Sequence, residues 1–271
     1  MSYKTPGENI FAHLLKERNL SFDYEKYYAD KTKVPDFHLN FCEPNIIVEV
    51  GDIDLNQKDR GILERLSSGL SAAWTHDQPY RRIRRLIHDK ADQLKEYADH
   101  PLLIILYRNP HNLTENLSNE NLLECLYGDY VMSFEIGNDG NYSPKPIIEN
   151  KNAVFGEKRN AFISAIAVVE KYEPNQKRAN EIAKEFVEKS GDKIMTQEGQ
   201  DAYSGLLKEK AEEEGLDFEL NVIRLRIVHN TFANKPIAVG TMKSKYDEEI
   251  FRDLSSVGLK VSYLGEIKDF S

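Results

Sequence analysis

Residues 46–51 read IIVEVG, and this short stretch decides the fold. Four of its first five residues are Ile or Val and the run ends at Gly51, a pattern that predicts a buried central β-strand. A charged side chain inside such a run is unusual, because a buried carboxylate loses its hydration. Glu49 is therefore the first candidate for a functional residue.

The segments that follow this strand predict an α/β fold. Residues 79–100 begin with Pro79 and carry apolar side chains at helical spacing, and Pro101 ends the segment. Residues 102–107, LLIILY, form a second apolar run. A strand, an amphipathic helix and a strand in this order predict parallel strand pairing through a right-handed crossover.

The rest of the chain predicts further elements of both kinds. We expect helices at 7–19, 117–126, 174–190, 196–214 and 246–254, and strands at 22–28, 34–39, 130–136, 162–169, 218–228, 237–239 and 260–267. Residues 52–76 predict a loop or short helices, and residues 138–141 a turn. A boundary near residue 170 would separate a core, residues 1–170, from a C-terminal α/β extension, residues 171–271. The late strands can equally return to the first sheet.

Composition narrows the class of protein. The chain has 271 residues, a formal net charge of −9 and two cysteines, Cys42 and Cys125. This cysteine usage favours a reducing cytoplasm over a disulfide-bonded or zinc-bound scaffold. No apolar run approaches the ~20 residues that a membrane span needs, and the N-terminus lacks the apolar core of a signal peptide, so we expect a cytoplasmic protein without a membrane partner. The negative charge argues against a general nucleic-acid coat, but it allows a local basic face.

Two carboxylates are candidates for a metal site. Asp36 follows Pro35 at the start of a predicted extended segment, and Glu49 lies near the end of the central strand. Mg²⁺ prefers hard oxygen ligands, usually one or two carboxylates with water and phosphate. We therefore predict that Asp36 and Glu49 bind one divalent cation, with the backbone carbonyl of Val50 as a third oxygen. A lysine nearby would orient a bound water or offset developing charge.

The order of these residues resembles the motif set of the PD-(D/E)xK nuclease superfamily, particularly its RecB-type branch. The matching positions are Pro35-Asp36, then Glu49-Val50-Gly51 at the strand end, then Gln93 and Tyr97 on the next helix. The resemblance covers about residues 8–110. It implies a restriction-endonuclease-like core, with a mixed central sheet flanked by helices.

The resemblance also implies roles for individual residues. Asp36 and Glu49 would hold Mg²⁺ or Mn²⁺, and Glu8 on the first helix would join the metal site, as the equivalent acid does in some members. Gln93 would orient the site, and Tyr97 would contact substrate or brace the helix.

One position departs from the family pattern. The lysine of the family's Glu-x-Lys motif is replaced here by Gly51. The lysine role can have moved to another element, and Lys90 is then the best candidate because it shares a helix face with Gln93 and Tyr97. Alternatively, the site is inactive and the fold serves binding.

A cationic segment gives a candidate nucleic-acid surface. Arg81, Arg82, Arg84 and Arg85 lie at the start of the helix that carries Gln93. They can contact nucleic-acid phosphates, or they can form a solvated helix face paired with nearby acids.

The leading hypothesis from the sequence is a metal-dependent nuclease, a hydrolase that cuts phosphodiester bonds, with DNA as the expected substrate, in a defence, phage or repair setting. The alternative is a catalytically inactive protein of the same fold that binds nucleic acid, a protein partner or a second copy of itself.

Overall fold

The structure is a computed structural model that describes residues 3–71, 80–110, 117–136, 142–149, 153–190, 196–242, 244–252, 259–263 and 266–270. The chain divides into two compact units. One comprises Met1–Glu170 with Leu225–Ser271, and the other comprises Lys171–Arg224.

Helices and strands alternate along the chain. The first part runs α1 (Pro6–Glu17), β1 (Phe22–Tyr24), β2 (Phe37–Leu39), β3 (Ile46–Ile53), α2 (Gln57–Ser67), α3 (Arg81–Leu94), the 3₁₀ helix η1 (Lys95–Tyr97), β4 (Leu102–Arg108), α4 (Asn119–Tyr127), β5 (Asp129–Ile136), β6 (Tyr142–Glu149) and β7 (Ala165–Tyr172). The rest comprises α5 (Gln176–Ser190), α6 (Gln197–Glu214), β8 (Val222–His229), β9 (Glu248–Arg252), β10 (Leu259–Tyr263) and β11 (Glu266–Phe270).

A mixed sheet forms the centre of the first unit. Over the described residues its strand order is β1-β2-β3-β4-β7-β8-β9-β10-β11. Strand β3 pairs parallel with β4, with Glu49 opposite Ile104, and β4 pairs parallel with β7. Strand β2 runs antiparallel to β3 on its other side. The predicted α/β class and the parallel crossover through α3 are therefore confirmed.

Helix α3 packs on β3 through an apolar stripe. Ile83, Ile87, Ala91 and Leu94 recur at helical spacing and are fully buried. The contact is close at Gly51, where an added Cβ would lie 3.0 Å from both Cγ and Cδ2 of Leu86. The glycine thus lets the helix approach the strand more closely than a larger residue would.

Helix α1 is tied to the other side of the same strand. Thr5 caps the helix by accepting a hydrogen bond from the amide of Glu8. Asp52 on β3 accepts hydrogen bonds from the Thr5 hydroxyl and from the amide of Gly7, at 3.0 and 3.1 Å. Burial raises the pKa of Asp52, and these two donors oppose that effect. A carboxylate at a helix N-terminus satisfies amides that lack intrahelical acceptors.

Four local predictions are wrong, and each is overridden by tertiary packing. Strand β3 continues past Gly51, because β4 pairs with it up to Ile53. Of the helix predicted at 246–254, residues 246–252 do not form a helix, since β9 pairs with β8 and β10, and residues 253–254 lie outside the described residues. Residues 237–239 lead into a turn at Gly240, whose φ is +81°, instead of forming a strand. Within the strand predicted at 260–267, the described residues 260–263 and 266–267 belong to two antiparallel strands, β10 and β11.

Other predicted elements are found with shifted ends or added partners. Helix α2 lies within the segment expected to hold a loop or short helices. Strand β5 pairs with β6 in a separate two-stranded sheet, and the sequence did not predict β6. Pro79 and the turn predicted at 138–141 lie outside the described residues.

The late strands return to the sheet that contains β3. The sequence leaves open whether the strands after residue 170 form an extension or join the first sheet. The sheet order shows that they join it, because β8 lies next to β7 and is followed by β9, β10 and β11. The second unit contains α5 and α6. There Arg178 pairs with Glu214, and the Phe186 and Tyr203 rings lie 5.5 Å apart. Among the described residues, none of the helices combines the length and apolar composition that crossing a membrane requires.

We predict that Gly51→Ala lowers the free energy of unfolding by about 1–3 kcal/mol, because the new Cβ would lie 3.0 Å from Leu86 and would force that side chain to shift. Chemical denaturation of purified variants measures this change. Removing the obstacle in Gly51→Ala/Leu86→Ala should abolish the extra cost relative to Leu86→Ala alone.

The matched control for this prediction is Gly61→Ala in α2, where an added Cβ meets nothing within 4 Å. It should leave stability unchanged or raise it by up to about 1 kcal/mol, because alanine is the better helix former. Equal effects at Gly51 and Gly61 would contradict the proposed close approach.

Candidate functional site

Two carboxylates converge beside the central strand. Asp36 directly precedes β2, and the pairing of Phe37 with Val48 places it next to Glu49 on β3. The Asp36 carboxylate is held by a 2.7 Å hydrogen bond from the amide of Val50. Glu49 is 3% exposed, although it is charged in its ordinary state. The local strand geometry therefore brings together two acids that are distant in sequence.

A lysine from α3 completes the cluster. The Nζ of Lys90 lies 2.8 Å from Oε2 of Glu49 and 3.6 Å from Oδ2 of Asp36. It also donates to Oε1 of Gln93 at 3.3 Å. Since one amine reaches both carboxylates, these acids are close enough to share one cation. We call Asp36, Glu49 and Lys90 the acid–lysine cluster.

The electrostatics of the cluster are unbalanced. Burial and the neighbouring charge of Asp36 raise the pKa of Glu49 to about 8, and Lys90 only partly opposes this shift. Burial alone would lower the pKa of Lys90, but the attraction of Glu49 and Asp36 outweighs burial and raises it. When Glu49 is ionised, two carboxylates and one ammonium leave one excess negative charge in a desolvated place, which is why the pKa of Glu49 is raised and why it mostly holds a proton near pH 7. A further positive charge would stabilise this arrangement.

The geometry suits a hard divalent cation held by few protein ligands. Asp36 and Glu49 offer carboxylate oxygens, and Mg²⁺ commonly takes only one or two carboxylates, with water and substrate filling its other positions. The described part of the chain contains no group of three or more His, Cys, Asp or Glu side chains arranged for a metal. The site would therefore depend on these two acids and on a backbone oxygen such as that of Val50.

Gln93 and Tyr97 have different positions relative to the cluster. Gln93 contacts Lys90 directly, as described above. Tyr97 is buried, and its hydroxyl donates to the carbonyl of Lys33. Its ring also packs edge-on against Tyr28 at 5.4 Å. Of the two roles expected for Tyr97, this position supports bracing, and it braces the loop that leads to Asp36.

Further hydrogen bonds, which the sequence did not predict, also hold the loop before Asp36. Glu96 accepts hydrogen bonds from both the amide and the hydroxyl of Thr32, and the amide bond is 2.7 Å long. The Lys33 ammonium donates to the carbonyl of Asp92 at 2.6 Å. The hydrogen bonds from Thr32 lower the pKa of Glu96. The only sequence signal was the position of Glu96 directly before Tyr97.

Glu8 has hydrogen-bond partners other than the residues of the acid–lysine cluster. It is buried near the start of α1, where it accepts hydrogen bonds from the amide of Lys4 and the hydroxyl of Tyr24. Burial, followed by this hydrogen bond, raises the pKa of Tyr24. The structure gives Glu8 a local role at the helix start and does not place it in a three-acid metal group within the described residues.

The arginines at the start of α3 differ in their contacts and in their exposure to solvent. Arg82 reaches Asp59 at 3.3 Å, and Arg84 donates to the backbone carbonyls of Cys125 and Glu124. Arg85 is 85% exposed and lies 4.0 Å from Asp89. Arg82 and Arg84 therefore connect α3 to α2 and α4, which leaves less of the expected cationic face for phosphates.

A second buried polar pair lies at the end of β8. The Nε2 of His229 is 3.2 Å from Glu249, and the ring stacks on Phe251 at 4.4 Å. Asn230 donates to the carbonyl of Ile163 and accepts from the amide of Phe232. His229 thus contacts two residues of β9, and Asn230 closes the turn after β8, so both have structural partners.

Comparison with known proteins finds no matching family model, no matching curated protein and no matching solved structure.

We predict a pH dependence of stability that originates at Glu49. Its pKa is about 8 in the folded chain, above the ordinary value of 4.5, so the folded state binds more protons than the unfolded state between these values. The contribution of Glu49 to stability therefore falls as pH rises from 5 to 8, by on the order of 2 kcal/mol.

Denaturation of wild type and Glu49→Gln across this pH range measures the contribution. The difference between the two proteins should change with pH, since glutamine does not titrate. The exposed Glu64→Gln serves as the control and should follow wild type. A constant difference between wild type and Glu49→Gln would exclude a strongly raised pKa.

We also predict that Arg82→Ala destabilises the protein by about 1–3 kcal/mol, because it leaves the fully buried Asp59 without this guanidinium. Thermal unfolding measures the loss. Arg85→Ala should change stability by less than about 0.5 kcal/mol, since its side chain is exposed. Equal losses would mean that the Arg82–Asp59 pair is not structural.

Proposed function

We propose that this protein is a divalent-metal-dependent nuclease of the PD-(D/E)xK type, with a restriction-endonuclease-like core, and that it hydrolyses phosphodiester bonds. The observation that carries the proposal is the convergence of Asp36, Glu49 and Lys90 at one point beside the central strand. DNA is the substrate to test first.

Each residue would have a defined task. Asp36 and Glu49 would hold Mg²⁺ or Mn²⁺, and the Val50 amide fixes Asp36 for that task. When bound, the metal would supply an activated water and would neutralise charge on the phosphate. The Lys90 ammonium would orient that water or stabilise the developing charge. Gln93 would keep Lys90 in place, and Tyr97 would maintain the loop before Asp36.

Gly51 stands where the family motif has a lysine. The position of Lys90 supports the proposal that α3 supplies the lysine instead. Gly51 and Glu49 share one face of β3, and Leu86 covers the place where a side chain at residue 51 would start. Lys90 follows Leu86 by one helical turn and reaches Glu49. The Lys90 amine therefore lies beside Asp36 and Glu49, although β3 itself contains no lysine.

A binding module on the same fold is the second candidate. It is favoured by the absence of a third metal-ligating side chain within the described residues, and by the internal use of Arg82 and Arg84. Such a module would bind nucleic acid or a protein partner, including another copy of this chain, without cleaving it.

We predict that Asp36→Ala and Lys90→Met each reduce cleavage of DNA by at least about 100-fold, since Asp36 would hold the metal and Lys90 would orient the attacking water or stabilise the developing charge. The assay uses fluorescent single- and double-stranded DNA with Mg²⁺ or Mn²⁺. Circular dichroism establishes that the variants are folded.

Lys95→Met is the matched control, because Lys95 is exposed and pairs with Asp92 away from the cluster. It should cleave at the wild-type rate. Full activity of folded Asp36→Ala would remove the nuclease assignment. Lack of cleavage by the wild type with either metal, on DNA and on RNA, would favour the binding module.

A further inference from the structure

We propose that the Lys90 ammonium is a built-in competitor of the metal, occupying the cation position between Asp36 and Glu49 until a divalent ion displaces it. This inference rests on the proposed function, because it concerns the same pair of carboxylates.

The position of the amine carries the inference. Its distances to Glu49 and Asp36, 2.8 and 3.6 Å, bring the ammonium within ion-pair range of both carboxyl groups at once. Its side chain is 19% exposed, and the Glu49 side chain is 4% exposed. A positive charge held this close to both acids reduces their attraction for a second cation in the same place. A divalent ion therefore has to move the ammonium away from at least one carboxylate.

Gln93 gives the displaced amine a nearby acceptor. Its Oε1 already lies 3.3 Å from the Nζ of Lys90, one turn along the same helix. An ammonium that leaves the carboxylates can keep this hydrogen bond and stay beside the site. The same residue can thus protect the acids before the metal binds and serve the reaction afterwards, so its loss has opposite effects on the two steps.

The test measures binding of Mn²⁺ alone to the full chain by isothermal titration calorimetry. Lys90→Met preserves much of the side-chain volume and removes the charge, and we expect it to bind Mn²⁺ roughly tenfold or more tightly than wild type. Lys95→Met should bind within about twofold of wild type, because its charge lies elsewhere. Asp36→Asn/Lys90→Met should lose the gain, which would locate the ion at the acid pair.

A second measurement is independent of calorimetry. Mn²⁺ should raise the melting temperature of Lys90→Met more than that of wild type, since a tighter ligand stabilises the folded state more. If Lys90→Met does not fold, Lys90→Gln provides the same comparison, because its neutral amide can still donate to Glu49.

The outcomes separate this inference from the proposed function. Equal or weaker Mn²⁺ binding by folded Lys90→Met overturns the competition and leaves the metal site in place. Tighter binding by the variant supports the competition even if the wild type cleaves no DNA. A lack of Mn²⁺ binding to both proteins overturns the competition and the proposed nuclease together.

Discussion

The close contact between α3 and β3 at Gly51 is the constraint on which the rest of the site depends. Because residue 51 has no side chain, Leu86 packs directly on the strand. That contact positions α3 along β3, and Lys90, one helical turn after Leu86, then reaches Glu49. Without a side chain at residue 51, α3 can pack close enough to β3 for the Lys90 amine to reach Glu49.

The same packing buries the Glu49 carboxyl group, and burial disfavours its charged form. Glu49 lies on the buried face of a central strand, and its pKa rises because burial and Asp36 both disfavour its charge. A fold selected for stability alone would place an apolar side chain there, since an incompletely compensated buried carboxylate destabilises the folded state. Retaining two acids and a lysine at this point is typical of a site that has to bind a cation or perform chemistry.

Some residues around the acid–lysine cluster fix the loop that carries Asp36, and others connect α3 to neighbouring helices. Glu96 and Tyr97 fix the loop that ends at Asp36, through Thr32 and Lys33. Arg82 and Arg84 instead join α3 to its neighbouring helices, although their sequence pattern resembles a phosphate-binding surface. Side chains in one cationic run can therefore have unrelated tasks, because each helix face has a different neighbour.

The sequence by itself determined the α/β class, the parallel pairing of β3 with β4 and the candidate residues Asp36, Glu49 and Lys90, since apolar periodicity and motif order are local properties of the chain. It misassigned residues 237–239 and 246–252, where turn geometry at Gly240 and the pairing of β9 with β8 and β10 outweigh local preference. Only the tertiary structure decided that Lys90 reaches both acids, that Glu8 bonds to Lys4 and Tyr24, and that Glu96 holds the loop through Thr32. These facts depend on distances between segments far apart in sequence, and packing sets such distances while local pattern does not.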